Sequence, residues 1–356
     1  MEEIKEVQQS ILPEKKDNPI NEKVTDEEFF AILKLISPGT GLRTALEGIV
    51  QAGKGAIIAA ENENLFAIID GGFKINAKFS PQKIVELSKM DGAIILSNDL
   101  KRINSVNVLL SPTMKIKTSE TGTRHKAAER TAKQTAGLVI AISERRKEIT
   151  IYYKNRRHVL KSTSEILRRV SENIQILEKQ RESFDRHLDY LTKIELKNYA
   201  GINSAIKAIQ KGQVIQKISA GIKKDFIELG NEGTILKIRL GEILADVEKE
   251  TNLVIKDYAN INYKKAIAIL YTLTYEELLD KNKILDALNW SGQIINLEVR
   301  GWRLLSKTSL RESEIALLMK EFGGLQNIIK SDLSTILEDE IAKKVRAELD
   351  RIKSEH

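Results

Sequence analysis

Arg124, His125 and Lys126 stand side by side where a loop rich in threonine and glycine runs into a predicted helix, in the stretch "TSETGTRHKAAERTA". Thr123 is predicted to cap the amino end of this helix, and Gly122 to supply an unusual backbone angle before it. A helix amino end is partially positive, so each cation there costs about 0.3–1 kcal/mol. A bound triphosphate would offset that cost, which makes the stretch a candidate phosphate site. A solvated basic turn fits the spacing equally well.

A carboxylate precedes a predicted buried strand in the stretch "KMDGAIILS", where Asp91 and Gly92 come directly before Ala93. A carboxylate at a strand end is a usual metal ligand or general base, and a glycine beside it lets the backbone approach a ligand closely. The bland interpretation is a plain Asp-Gly turn, and that dipeptide is common enough to make it the default.

Ser143, Arg145 and Arg146 lie at the tip of a predicted hairpin, in "AISERRKE". Two arginines at such a tip can clamp phosphate groups through paired N–H donors. Taken alone, they are more typical of a charged turn.

The elements that must position these residues alternate between strands and helices as far as about residue 155. Two helices broken at Pro38 and Gly39 come first, and Ser80 with Pro81 predicts the start of another. The runs "GAIIAA" and "LFAIIDGG" predict one hairpin, and "GLVIAIS" with "EITIYYK" predicts a second, with "RHVLK" as a further strand. The pattern favours a mixed β-sheet with helices packed on it.

The rest of the chain has a helical pattern. One apolar stripe repeats at steps of three and four on a long predicted helix, and it can pack within the chain or on another subunit. It comprises Val170, Ile174, Leu177, Phe184, Leu188 and Leu191. The last segment contains short helices around Gly323 and Gly324 and suggests a helix-hairpin-helix type of module. We therefore predict an α+β multidomain protein with a flexible arm over 1–27, a mixed-sheet domain over 28–155, an all-helical domain over 156–300 and a helix-hairpin-helix-like domain over 301–356.

Composition excludes several classes of protein. The chain has 356 residues, 42% of them hydrophobic and 30% charged, which is an ordinary globular balance. It has no cysteine, which excludes disulfides and thiolate metal sites and fits a cytoplasmic location. Neither a signal peptide nor an apolar run of membrane-spanning length is recognisable. The net charge of +7 is spread thinly along the chain and is more typical of solubility than of a nucleic-acid footprint.

Taken together, "KMDGAIILS", "VNVLLSP" and "TSETGTRHKAAERTAKQTAGLVIAISERR" resemble, in order and spacing, the diadenylate cyclase domain, whose hallmarks are an Asp-Gly-Ala and an Arg-His-Arg motif. The helical middle and the C-terminal segment resemble the DNA-integrity scanning members of that family. The resemblance implies condensation of two ATP into cyclic di-AMP and two pyrophosphates, with Mg2+ or Mn2+. It implies that Asp91 holds the metal and helps to activate the 3'-hydroxyl, and that Arg124 and His125 join it as catalytic residues. The ATP-binding set that it implies is Gly92, Ala93, Leu110, Thr123, Arg124, His125, Lys126, Ala127, Ser143, Arg145 and Arg146.

The resemblance further implies an octamer in which cyclase domains meet face to face, with the apolar stripe as a candidate contact between subunits.

Two departures from the family pattern stand out. Lys126 and Ala127 replace the second arginine of the motif and the threonine that usually follows it, so we expect a weaker phosphate grip without loss of activity. Asp339 and Ile341 occupy the places of two hairpin glycines that approach DNA, which puts DNA binding in doubt. A DNA-structure-binding scaffold and a nucleotide sensor without turnover remain as alternatives.

Overall fold

The structure, a computed structural model, describes residues 24–290 and 297–355, and they form two compact units. The first unit runs to Arg169 and includes Lys224–Thr234, and the second consists of Val170–Lys223 and the residues from Ile235 onward. Most of the predicted arm lies outside the described residues, although Asp26 already belongs to the first helix. The predicted domain boundaries stay predictions.

An eight-stranded mixed sheet forms the centre of the first unit. Its strands are β1 Ala56–Ala60, β2 Ile69–Asp70, β3 Phe73–Lys78, β4 Ala93–Leu96, β5 Arg102–Leu110, β6 Leu138–Ser143, β7 Glu148–Tyr153 and β8 Arg156–Leu160. Their order is β2-β5-β4-β1-β6-β7-β8, and β3 also pairs with β5. β1 and β4 are parallel, while the other pairs are antiparallel. The predicted mixed sheet is confirmed.

Helices cover both faces of this sheet because its central strands are apolar on both sides. On one face α1 Asp26–Leu35, α2 Gly41–Gln51 and α3 Pro81–Leu87 pack against alternate residues such as Ile58, Ile94 and Ile140. On the other face α4 Thr123–Thr135 packs through Ala128 and Ala132 against Ala59, Ala93 and Ala141. Small residues on both sides let α4 lie close to the strands.

Most of these elements were predicted correctly from the sequence, and one strand pairing was predicted wrongly. The Ser80 side chain caps α3, with Pro81 as its first residue, and β6 and β7 form the predicted hairpin. The predicted hairpin of "GAIIAA" with "LFAIIDGG" is wrong. Asn62 instead starts a 3-10 turn at Leu65–Ile68 by accepting a hydrogen bond from the Leu65 N–H, and β2 pairs with β5.

The helices beyond β8 are α5 Thr163–Leu196, α6 Ile202–Leu229, α7 Thr234–Leu244, α8 Val247–Tyr258, α9 Tyr263–Thr272, α10 Tyr275–Leu279, α11 Lys281–Ala287, α12 Trp302–Leu305, α13 Glu312–Phe322, α14 Leu325–Lys330 and α15 Asp339–Glu355. The apolar stripe on α5 is buried within the chain, with no residue more than 8% exposed. Its suggested role as a contact between subunits is therefore wrong, since its apolar side chains already have partners.

The C-terminal helices pack on a core of their own. Leu305, Ile315, Ile328 and Val345 belong to it, and Gly323 ends α13 with a φ of 77°. Asp257 anchors the start of α12 by accepting hydrogen bonds from the backbone N–H groups of residues 301–303.

A membrane-spanning helix is absent from the described residues, because none of their helices combines the necessary length with an apolar sequence.

Candidate active site

The strand register brings two of the predicted site segments, those of Asp91 and Ser143, to one edge of the sheet beside the start of β1. β1 and β4 run parallel with Ile57 opposite Ala93, so Gly55 and Asp91 each lie two residues before a matched position. β6 runs antiparallel to β1 with Ile142 opposite Ala56, which brings Ser143 to the same edge. Because neighbouring strands lie about 4.8 Å apart, these three segments form one continuous rim.

Gly92 is held at that rim by a close approach of β5. Its φ is +86°, and a Cβ atom there would lie 2.7 Å from the carbonyl carbon of Asn107 and 3.0 Å from the Val108 nitrogen. Only glycine fits this space, since a side chain rarely adopts such a φ and would also collide with backbone. The neighbouring Asp91 is exposed, and its carboxylate pairs with no side chain in the described part of the protein.

The amino end of α4 is open to a ligand. Gly122 occupies the capping position and no side chain caps the helix, whose first turn contains no acidic residue. The prediction that Thr123 caps the helix is wrong, because Thr123 is already its first helical residue and is exposed. An uncapped helix end presents free N–H groups and a partial positive charge to an anion.

Arg124 lies over the start of β1. A Cβ atom at Gly55 would meet its Nη1 at 2.4 Å and the Ile142 carbonyl oxygen at 3.2 Å, so glycine makes room for the guanidinium. Arg124 Nη1 lies 3.6 Å from Glu144 Oε2, and both side chains are about half exposed. An ion pair so exposed contributes about 0–1 kcal/mol and yields easily to a phosphate. Lys126, two residues further along α4, is partly buried.

His125 points the other way, into the domain, and is only 4% exposed. Its Nδ1 lies 2.9 Å from the Tyr152 hydroxyl oxygen, and that hydroxyl donates to Glu120 Oε1 at 2.8 Å. Arg157 Nε donates to the same carboxylate oxygen at 2.5 Å. The other ring nitrogen, Nε2, is buried and has no hydrogen-bond partner among the described residues. Buried polar atoms in folded proteins are nearly always satisfied by protein, water or a ligand.

The charges around this chain of hydrogen bonds fix its protonation. Burial lowers the pKa of His125, while the Glu120 carboxylate raises it and the Arg146 and Arg157 guanidinium groups lower it. Burial alone would raise the pKa of Glu120, but the hydrogen bonds from Arg157 and Tyr152 outweigh burial and bring it below its usual value. Burial and the bond to Glu120 raise the pKa of Tyr152. Glu120 is therefore ionised, Tyr152 is protonated, and the imidazole favours its neutral form.

The tip of the β6–β7 hairpin carries the remaining predicted cations. The Ser143 hydroxyl accepts a hydrogen bond from the Arg146 N–H at 3.2 Å, so it shapes the turn. Arg146 Nε lies 3.3 Å from Glu148 Oε2, whereas Arg145 is exposed and forms no ion pair within the described residues.

Three further predicted contacts with ATP lie mostly inside the domain. Ala93 and Leu110 are 2% and 8% exposed and belong to the core under α4, and Ala127 packs against that core. Any contact of Ala93 with a ligand must therefore come from its backbone.

Comparison with known proteins agrees with this architecture. A family model described as the DisA bacterial checkpoint controller nucleotide-binding domain matches residues 43–157, and one described as the linker region of the same controller matches residues 160–297. The DNA integrity scanning protein DisA of Acetivibrio thermocellus is 36% identical over 89% of this chain and 90% of its own length. The protein of that name from Clostridioides difficile is 38% identical over 88% of this chain and 91% of its own. The chain belongs to the DisA family.

Membership of the DisA family gives the enzyme class as well, because the nucleotide-binding domain of this family is a diadenylate cyclase domain. The chain is therefore a diadenylate cyclase, a nucleotidyltransferase. A crystal structure of DacA from Staphylococcus aureus, 22% identical over 38% of this chain and 89% of that one, superposes with a TM-score of 0.31, too low to add to the argument.

Sequence reasoning missed four residues of this DisA-family site. Glu120 was visible inside the "TSETGT" loop, but its buried bond to a strand residue was not. Tyr152 has the pattern of an ordinary strand residue, and Arg157 follows in the next strand. Gly55 belongs to "AGKGA", which imitates a phosphate-binding loop without its spacing, and its role in seating Arg124 follows only from the β1–β6 pairing.

Proposed function

We propose that this chain condenses two ATP molecules into cyclic di-AMP and two pyrophosphates by pairing two nucleotide-binding domains face to face. The 3'-hydroxyl of each ATP attacks the α-phosphate of the other, one P–O bond forms as another breaks, and pyrophosphate leaves. The observation that carries the proposal is the rim itself, where Asp91 has no side-chain partner in the described residues and Arg124, from the open end of α4, lies over the neighbouring start of β1. Because the product has two-fold symmetry, two identical domains in an isologous contact suit it.

Several cationic side chains are placed to bind different parts of the triphosphate. Arg124 is held only by an exposed ion pair with Glu144 and is available to an anion at the helix end, and Lys126 adds a second positive charge in the first turn of α4. His125 lies between them in sequence and is held from behind by Tyr152. Arg145 and Arg146 border the same rim from the hairpin tip. Positioning the attacking oxygen and neutralising the leaving pyrophosphate supply most of the catalysis in such transfers.

We also propose Mg2+ or Mn2+ as the cofactor, with Asp91 as its protein ligand. The donor set suits this role, since Mg2+ usually binds one or two carboxylates together with substrate phosphates and water. Asp91 is exposed, and residues 24–290 and 297–355 contain no cluster of three acidic or histidine side chains that would hold a metal without substrate. When bound, the ion supplies charge neutralisation at the phosphates, and Asp91 orients the 3'-hydroxyl.

The test compares purified wild type with Asp91→Asn and with Asp189→Asn. Asp189 is an exposed carboxylate on α5 that forms no ion pair within the described residues. Each protein is incubated with ATP and either Mg2+ or Mn2+, and the products are resolved by chromatography. We expect Asp91→Asn to lose product while ATP binding remains, and Asp189→Asn to match wild type. Absence of any cyclic dinucleotide with either ion would reject the cyclase and leave a nucleotide sensor.

The proposal also covers the oligomeric state and the location of the protein. We propose a homo-octamer located in the cytoplasm, where ATP is available as substrate. Support for subunit contacts comes from α7, which exposes Ile235 and Ile238 one turn apart at 80% and 61%. If two domains form each active site, the rate per protomer falls on dilution below the assembly's dissociation constant. A rate per protomer that stays constant down to a demonstrated monomer contradicts face-to-face pairing.

The alternative, a scaffold that binds DNA structures, is supported by the names of the relatives, which are DNA integrity scanning proteins. The charges of the last helix oppose it. Glu338, Asp339 and Glu340 are exposed around the first turn of α15, where they would repel a phosphate backbone. A mobility-shift assay with branched duplex DNA over a salt series tests this alternative. Absence of binding even at low salt would reject the function as a DNA-binding scaffold.

A further inference from the structure

The hydrogen-bonded chain behind His125 has a direction, and that direction matters for phosphate binding. We propose that Tyr152, Glu120 and Arg157 are positioning residues that hold the proton of His125 on Nδ1, so that a proton is taken up at Nε2 when a triphosphate binds. The inference rests on the proposed function of the site and adds to it a proton linked to substrate binding.

The tautomer follows from the donors and acceptors. An ionised carboxylate only accepts, so the Tyr152 hydroxyl and Arg157 Nε both donate to Glu120 Oε1, at 2.8 and 2.5 Å. The Tyr152 hydroxyl has a single proton, and that proton is used on Glu120. Its oxygen can therefore only accept from the imidazole 2.9 Å away, which puts the histidine proton on Nδ1.

The consequence falls on the opposite nitrogen. In the neutral ring Nε2 then has a lone pair and no proton, and it is buried without a partner in the described residues. A lone pair cannot donate to a phosphate oxygen, so the ring must first gain a proton from solvent. The added positive charge is then shared between the phosphate at Nε2 and, through Tyr152, the Glu120 carboxylate.

The charges facing the ring make this uptake conditional on the ligand. Without substrate, burial and two cations keep the ring neutral against two carboxylates, the facing groups being Glu120, Arg146, Arg157 and Glu148. Arg124 and Lys126 flank it on its own helix. A triphosphate brings several negative charges to this rim, which favours the protonated ring.

The Arg157 bond explains why the carboxylate stays ionised although it is only 8% exposed. The loop that carries Glu120 is fastened along α4, where Thr118 donates to Glu129, Lys133 donates to the carbonyl of Lys117 at 3.1 Å, and Arg130 donates to that of Ile116 at 3.0 Å. The helix that offers Nε2 and the carboxylate that sets its tautomer are thus held as one piece.

The test measures proton uptake directly. Calorimetric titration of the full chain with 3'-deoxy-ATP and Mg2+, in buffers of different ionisation enthalpy, gives the protons bound per nucleotide at a pH where the γ-phosphate is fully ionised. The analogue lacks the attacking hydroxyl, so binding is read without turnover. We expect wild type to take up as much as about one proton per site.

Two variants each interrupt a different hydrogen bond in the series from His125 through Tyr152 to Glu120. Tyr152→Phe removes the acceptor at Nδ1, and Glu120→Gln removes the charge that directs the tyrosine proton. We expect both to lose most of the uptake and to bind the analogue about tenfold more weakly. Tyr190→Phe, an exposed tyrosine on α5, should match wild type. Glu120→Gln decides the matter if Tyr152→Phe does not fold.

The outcomes separate this inference from the proposed function. No uptake by wild type, or undiminished uptake by a folded Tyr152→Phe or Glu120→Gln, overturns the positioning role even if cyclic di-AMP is made. Uptake that depends on Tyr152, in a protein that makes no product from ATP, rejects the cyclase and retains the linked proton.

Discussion

Replacing Gly92 with alanine tests whether the rim is built as the strand pairing requires. Gly39, in the turn between α1 and α2, is a matched control, because its φ is +87° against +86° at Gly92 and a Cβ atom there has nothing within 4 Å. The positive φ alone should cost each alanine variant about 1–2 kcal/mol. At Gly92 the new atom would also meet β5 backbone at 2.7 Å, and overpacking of this kind adds about 1–3 kcal/mol.

We therefore expect a loss of unfolding free energy of about 1–2 kcal/mol for Gly39→Ala and about 2–5 kcal/mol for Gly92→Ala. Relief of the clash must move Asp91, and a displacement of about 1 Å lowers turnover about 100-fold. Denaturant unfolding and the rate of cyclic di-AMP formation measure the two effects. Equal stability and equal activity of the two variants would refute the close approach of β5 and its role in placing Asp91.

Three further predictions concern single side chains. Lys126→Arg should keep or raise the rate of product formation, because arginine adds a bidentate grip; a large loss would mean that the site is built around lysine. Thr123→Ala should change the unfolding free energy by less than about 0.5 kcal/mol, whereas Thr40→Ala, which removes the cap of α2, should cost about 1 kcal/mol; equal losses would restore Thr123 as a cap. Burial raises the pKa of Asp257 from 3.8 to about 7, so the folded protein keeps a proton that the unfolded chain releases in this window. Its contribution to stability is complete below 3.8 and falls as the pH rises toward 7, so wild type should lose unfolding free energy relative to Asp257→Asn over that range; a difference between the two that is independent of pH would contradict this.

Elements whose ends are marked by local sequence signals, such as capping residues and turn residues, could be predicted from the sequence. Ser80 and Pro81 set the start of α3, and the two apolar runs around residues 144–147 form a hairpin because they are adjacent in the chain. The failed hairpin shows the limit of such reasoning. Nothing local says that β1 pairs with β4 and β6, since the competing strands lie far along the sequence.

The same limit applies to the site. Cations at a helix start and a carboxylate before a strand are visible as residue types, so Arg124 and Asp91 were accessible as candidates. Their common rim depends on strand register, and the buried contact of Glu120 with Tyr152 spans strands and loop. The cap of α4 was misplaced by one residue, because threonine and glycine both favour that position and only the backbone decides between them.

The most direct test of the account is the stoichiometry of the reaction. Wild-type protein is incubated with ATP and Mn2+, and ATP, pyrophosphate, ADP and cyclic di-AMP are quantified together by mass spectrometry. The account predicts one cyclic di-AMP and two pyrophosphates for every two ATP consumed, and none of these products from Asp91→Asn. Release of ADP and phosphate, or of pyrophosphate without a cyclic dinucleotide, would contradict condensation of two ATP at this rim.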